Sequence, residues 1–283
     1  MRFDIASRLK WWRRGLVART RRTSGIVAEE VSGNPPLVVS LTTIPDRLQS
    51  LHVVVDSLLS QTVPPQTVRL WISRKHVSDP QRLPGRLSRL QRFGLVIGWV
   101  DETSSHRKLI CPLRTFGRAT IVTADDDVYY DRTWLQGLLE THREHPNAVV
   151  AHVTRMIQST PSGGFLPYVD WPLQRPEAQT PGHRVLPVGV GGVLYPPGSM
   201  DPRVMDYDMA LRLAPTTDDL WFKTMALLTG TPAVQSSALE WGENLPLSDD
   251  APSLWSINEQ SGGNDQQWRA LVDTFSIAPV FQT

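Results

Sequence analysis

The sequence predicts an α/β fold built on a largely parallel sheet, and two observations carry that reading. Strand-sized apolar runs alternate with segments of helical period between residues 37 and 154. Two of those runs end in aspartates, at Asp101 and at Asp125–Asp127, where a parallel sheet offers its C-terminal edge to ligands. The elements follow in order. "LVVSLTTIP" is a buried first strand stopped by Pro45. In "RLQSLHVVVDSLLSQ", Leu48, Leu51, Val55, Leu58 and Leu59 recur at helical spacing. "TVRLWIS", "GLVIGWVD" and "ATIVTA" are the second, third and fourth strands. "WLQGLLETHREH" is a helix closed by Pro146, and "AVVAHVT" is strand-like again. Beyond Thr154 the pattern loosens into a Pro-, Gly- and aromatic-rich stretch, which in a compact domain is usually functional or mobile. "LPVGVGGVLYPPGSM" follows, then a helix starting near Asp218 and Asp219, and a last helix in "DQQWRALVDTF".

Length and composition set bounds. At 283 residues and 40% hydrophobic content, the chain can bury one sizeable core. The single Cys111 excludes an internal disulfide and fits a reducing compartment. No apolar run reaches the ~18–20 residues of a membrane span, and the N-terminus lacks the apolar centre of a secretory signal. The net charge of +1 hides an asymmetry. Of 29 basic and 28 acidic residues, eight and one lie in residues 1–22, so the remainder carries 21 and 27. In that tail Ile5, Leu9, Trp12 and Leu16 share a helical face, and Trp11 and Trp12 sit among arginines. Such a helix suits the headgroup layer of an anionic membrane, and a solvated leader is the equal alternative. The expected organisation is an N-terminal extension and linker over residues 1–33 and one domain over 34–283. The expected location is cytoplasmic, with peripheral contact at the inner face of the membrane.

"IVTADDDVYY" holds the strongest chemical signal. Three adjacent carboxylates repel one another, so their place after a buried strand asks for a cation. In an extended chain Asp125 and Asp127 share a face and Asp126 points away. Two converging carboxylates suit a hard divalent ion such as Mg2+ or Mn2+, which in turn holds a diphosphate. A solvated acidic turn is the plainer alternative. Other motifs fail. An EF-hand starting at Asp125 would need Gly and Glu where Tyr130 and Gln136 stand. The Gly-rich run 189–192 lacks both the P-loop Gly-Lys-Ser/Thr and the dinucleotide spacing. There is no His-Glu-x-x-His and no Gly-x-Ser-x-Gly.

The order "VVSLTTIPDRL", "VDETSSHRKLICPL", "IVTADDDVYYDRTWL", "LPVGVGGVLYPP" and "TTDDLWF" resembles glycosyltransferases of the GT-A fold over roughly residues 37–270. It is similar to bacterial sugar transferases and, in layout, to the exostosin-type transferase domain. The resemblance implies a single Rossmann-like domain, mostly parallel and flanked by helices, that uses a nucleotide-sugar donor, UDP-linked by expectation. It implies that Thr42, Thr43, Ile44 and Arg47 cup the base and ribose and that Asp101 meets the base. Lys108 would lie near the diphosphate, with Asp126 among the donor-binding residues. Asp125 would touch ribose or metal, and Asp127 would ligate the metal. Gly191 and Gly192 would line the sugar site. The family often adds a C-terminal His to the metal shell; the last His here is His183, so Asp265 is the expected substitute.

Glycosyl transfer leaves charge on the departing diphosphate and needs a base for the acceptor hydroxyl. Asp219 is the expected base and Asp218 its partner, which positions substrate or caps the helix. Ten tryptophans are many for this length. Trp171 and Trp221 flank the acceptor region, where rings can stack on sugars or simply fill the core. Two rivals stay open. One is a sugar- or nucleotide-binding module without turnover. The other is a metal-dependent phosphohydrolase, although Tyr129 stands where its Asp-x-Asp-x-Thr pattern wants Thr. The basic tail alone does not make a nucleic-acid binder.

Overall fold

A computed structural model describes residues 36–174, 180–236, 245–246, 258 and 262–281. The basic tail and nearly all of its linker lie outside those residues. Seven strands form one sheet: β1 (Leu37–Thr42), β2 (Thr67–Ser73), β3 (Leu95–Val100), β4 (Thr120–Thr123), β5 (Val149–Ala151), β6 (Val193–Tyr195) and β7 (Ala233–Gln235). Their spatial order is β7-β5-β6-β4-β1-β2-β3. Every neighbouring pair is parallel except the two made by β6, which runs antiparallel between β4 and β5.

The helices are α1 (Leu51–Leu59), the short α2 (Gly85–Arg89), α3 (Arg107–Phe116), α4 (Trp134–Glu144), α5 (Tyr207–Leu213), α6 (Asp218–Leu228) and α7 (Gly263–Phe275). They cover both faces of the sheet, as a mostly parallel sheet requires. Alternation along β1 sends its side chains into two cores. Val38 joins Leu109, Ile121, Trp221 and Trp268 beneath α3, α6 and α7. Val39 and Leu41 join Val54, Leu58, Leu70, Trp134 and Leu138 beneath α1 and α4.

The strand order places the ligand-binding edge. The chain builds outward from β1 to β2 and β3, then returns through α3 to lay β4 on the other side of β1. The reversal opens a crevice beyond the C-terminal ends of β1 and β4. Those ends are in step, with Ser40 opposite Thr123. The residues after Thr42 and after Thr123 therefore face one another.

Candidate functional site

The acidic triplet sits at this crevice, but its geometry differs from the extended expectation. β4 stops at Thr123, and Asp126 and Asp127 form a turn before the short strand Val128–Tyr129. The two-residue alternation ends with it. Asp126 is buried rather than turned away. Arg47, just past the end of β1, grips two of the three carboxylates, with Nη1 2.5 Å from Asp126 Oδ1 and Nη2 2.9 Å from Asp127 Oδ2. Asp125 is held separately: its N–H donates to Tyr130 Oη at 2.7 Å, and its Oδ1 accepts from Lys108 Nζ at 2.8 Å.

Lys108 joins this triplet to the second acidic motif. It lies in the first turn of α3, which is moored to the strand ends beside it. Ser40 Oγ donates to the Lys108 carbonyl at 2.5 Å and accepts from Trp71 Nε1 at 3.0 Å. The neighbouring Arg107 is buried, and its guanidinium donates to the carbonyls of Thr43 (2.6 Å), Ser104 (3.2 Å), Trp71 (3.4 Å) and Thr103. It thus ties the ends of β1 and β2 to the turn that starts α3. So anchored, Lys108 Nζ reaches Asp218 Oδ2 at 3.1 Å while keeping Asp125. Burial disfavours its charge, but Asp125, Asp218 and Asp219 outweigh that and push the amine well above its ordinary range.

Asp218 and Asp219 open α6. The capping role expected of Asp218 is not made: Thr217 is the N-cap residue, and its Oγ1 donates to Gln267 Oε1 at 2.9 Å and not to the helix. The two carboxylates still sit in the favourable end of the helix dipole. Their environments push them apart. Burial would raise Asp218, but Lys108 and His106 prevail and hold it below the usual carboxylate range. Asp219 is raised to about 7 by burial and by the charge of Asp218, against Lys108 and the Gly189 N–H, which donates to its Oδ2 at 3.0 Å. Two adjacent acids, one kept ionised and one poised near neutrality, make the divergent pair expected of a general-base site. His106, buried beside them, is pushed down to about 4 by burial.

The Gly-rich run contributes at a different position from the one expected. A Cβ on Gly189 would stand 2.9 Å from both Asp219 Oδ1 and Lys108 Nζ, so Gly189 leaves room for the acid–lysine array. The close approaches permitted by Gly191 and Gly192 are made by Val153 and by the Trp134 indole, whose Nε1 donates to the Gly191 carbonyl at 2.7 Å. These two glycines meet protein on that side, not an open sugar site.

The other expected residues are spread around the crevice. Thr42 Oγ1 donates to the Trp71 carbonyl at 3.1 Å, and the buried Thr43 lends its carbonyl to Arg107. Asp101 ends β3 in solvent, its side chain 74% exposed and 3.7 Å from Arg74. Asp265 accepts the Tyr168 N–H at 2.7 Å from the first turn of α7, which commits it to the 168–171 turn and not to the triplet. Trp171 and Trp221 are core residues, 1% and 0% exposed.

The donor set offers a divalent cation two carboxylates rather than a complete shell. Among the described residues no group of three His, Cys, Asp or Glu side chains converges as a metal cage. The charge balance of the array is nevertheless acidic. Five carboxylates, Asp125–Asp127 with Asp218 and Asp219, share Lys108 and Arg47, with Arg107 behind. Asp127 carries the strain of that imbalance, raised to about 6 by burial and by Asp125 despite Arg47. Asp125 and Asp127 therefore fit a hard cation as an oxygen pair whose remaining positions would come from substrate oxygens and water.

No protein-family model matches the sequence, and no curated protein matches it. Solved structures do share its fold. Staphylococcus aureus TarS 1–349, crystallised with UDP-GlcNAc, superposes with a TM-score of 0.51 at 12% identity, over 78% of this chain and 61% of that one. This chain thus spans about three fifths of that structure. TarS 1–349 without the sugar nucleotide superposes at 0.49 with 14% identity, over 75% and 60% of the two chains. A CMP:2-keto-3-deoxy-manno-octonic acid synthetase complexed with CTP covers 83% of this chain and 99% of its own at 13% identity, with a TM-score of 0.43. The fold is GT-A-like, a mixed α/β architecture with the layout of the TarS structure.

Proposed function

We propose that this GT-A-like protein is a glycosyltransferase that moves a sugar from a nucleoside-diphosphate donor to an acceptor hydroxyl. The observation that carries the reading is the Lys108 bridge. It brings an acidic strand end and an acidic helix start into one array at the switch point of the sheet. TarS, with the same fold, was crystallised with UDP-GlcNAc, which supports a UDP-linked donor.

In this reading the donor's base and ribose lie over the end of β1, at Thr42, Thr43 and Arg47, with Asp101 at the rim. The acceptor hydroxyl approaches Asp219. As its oxygen attacks the anomeric carbon, its proton passes to the Asp219 carboxylate and the bond to the diphosphate breaks. Asp218 stays ionised on Lys108, and the Gly189 N–H keeps Asp219 Oδ2 oriented. Asp125 and Asp127 would hold Mn2+ or Mg2+, which when bound offsets the charge developing on the leaving diphosphate. The acceptor class is a glycan, a lipid-linked saccharide or a small hydroxylated molecule.

Incubation with a panel of UDP-sugars, Mn2+ and mixed acceptors tests the proposal. Transfer of sugar with release of UDP is expected. Release of inorganic phosphate would point to a phosphohydrolase, and binding without release to a non-catalytic module.

A further inference from the structure

Lys223 has no role in the site described so far, yet its surroundings are unusual. It is 3% exposed, and among the described residues its Nζ has no hydrogen-bond partner. A buried amine in that condition is costly as a cation, so it either stays neutral or shares a proton with something nearby. It stands one helical turn beyond Asp219 on α6, and residues so spaced share a face. Both line the same cavity, with Tyr195, Phe222, Met200 and Val149 among its other walls. The cavity measures about 10 Å3, which is about the size that one water occupies. Apart from Lys223, Asp219 and Tyr195, the residues that line it are apolar. A water there would find its polar partners in the amine and the carboxylate.

We propose that Lys223 serves Asp219 as a positioning residue and proton acceptor, the two linked through one buried water. This rests on the reading of Asp219 as the base. The acceptor O–H bond breaks and its proton goes to the Asp219 carboxylate. The carboxylic acid gives a proton to the water, and the water gives one of its own to the neutral Lys223 amine, which becomes ammonium. Asp219 is then an anion again, paired with a new cation behind it. After product leaves, the proton returns along the same path to solvent at the half-buried Asp219. The electrostatics run in the same direction as the geometry: burial lowers Lys223 to about 7, and burial with the charge of Asp218 raises Asp219 to about 7, which brings their proton affinities toward one another. The other titratable groups facing Lys223 are Tyr195, in the cavity wall, and His183, whose charged form Lys223 disfavours. Those facing Asp219 are Asp218, Lys108, Asp125 and again Tyr195.

The test is an NMR titration of the full chain, labelled at the Asp carboxyl carbons and Lys amines, with neither donor nor acceptor present. In Asp219→Asn, Lys223 loses an anion that favours its protonation, so its midpoint should fall by about one pH unit. In Lys223→Met, Asp219 loses a cation, so its midpoint should rise by about one pH unit. A fall of the Lys223 midpoint in Asp219→Asn supports the shared proton, and a rise of the Asp219 midpoint in Lys223→Met corroborates it. An unmoved Lys223 in Asp219→Asn overturns it, and that measurement stands even if Lys223→Met does not fold. Turnover of Asp219→Asn is scored separately. Wild-type turnover there removes Asp219 as the base but leaves the titration result intact, so the two failures are told apart.

Discussion

Lys108 Nζ stands 2.8 Å from Asp125 Oδ1, and the same amine reaches Asp218 Oδ2 at 3.1 Å. One buried cation is therefore shared by two acids from opposite halves of the chain. The arrangement fixes the distance between the acidic strand end and the acid pair. It also leaves the five-carboxylate array short of positive charge, which a divalent ion or a cationic group of a ligand would relieve.

Removing that cation should be severe. Lys108→Met keeps the length of the side chain but leaves Asp125 and Asp218 buried without a partner. Breaking a buried pair on one side costs about 3–5 kcal/mol. Denaturant unfolding should show a loss of that order with an unchanged slope. A loss under about 1 kcal/mol would mean that water enters and solvates the acids.

The sequence made the central sheet legible because its first four strands are continuous apolar runs with polar ends, and the structure has them within a residue or so. It concealed α3, since Pro112 and the buried Arg107 and Lys108 break the apolar periodicity that marks a helix. It also concealed the antiparallel β6. Val193–Tyr195 follows directly on the glycines, and no local pattern states strand direction. In the site, the acid types and their positions were legible, but their partners were not. Ion pairs such as Arg47 with Asp126 depend on which loops meet beyond the sheet, and only the topology decides that. Arg107 was missed for the same reason. A signal did exist, in the run of three basic residues His106–Lys108 placed directly before the apolar stretch Leu109–Leu113.

Gly192 should tolerate no side chain. Its φ is +87°, and an added Cβ would stand 2.4 Å from the Trp134 ring. Gly192→Ala must displace a buried indole or strain the backbone, and overpacking of this kind costs about 1–3 kcal/mol. Gly198, also at positive φ but with open space around its Cβ position, is the control. Gly198→Ala should cost less, because only the backbone term remains. Equal losses in the two variants would remove the indole contact as the cause.

Metal binding, if it uses Asp127, should be linked to protons. The folded protein raises this carboxyl to about 6, above its ordinary range. Its proton therefore favours the folded, metal-free state at low pH, and that contribution is lost as pH rises through about 6. A cation must displace the proton, so Mn2+ should bind more tightly as pH rises from 5 to 7 and should release protons below about pH 6. Calorimetry in buffers of different ionisation enthalpy measures the release. Asp127→Asn should abolish both the proton release and the metal dependence of UDP binding. UDP affinity that depends on Mn2+ as strongly in the variant as in the parent would sink the assignment of Asp127.

The two acids of α6 should separate cleanly by variant. A base raised to about 7 is ionised only above that value, so kcat/KM should fall as pH drops through about 7. Asp219→Asn keeps the shape of the side chain and an oxygen for the Gly189 N–H, but cannot take a proton. Loss of a general base typically costs ~10²–10⁴-fold in rate. Turnover at saturating donor and acceptor should fall by that order, with UDP binding and the unfolding midpoint close to those of the parent. Asp218→Asn should behave differently. It removes one of the two anions on Lys108, so it should lower stability and leave Asp219 nearer its ordinary range, since the charge of Asp218 helps to raise it. The acid limb of the pH profile should then move to lower pH in Asp218→Asn. If that limb stays in place, the titrating group is not Asp219. If Asp219→Asn also turns over within a few-fold of the parent, the proton leaves the acceptor by another carboxylate.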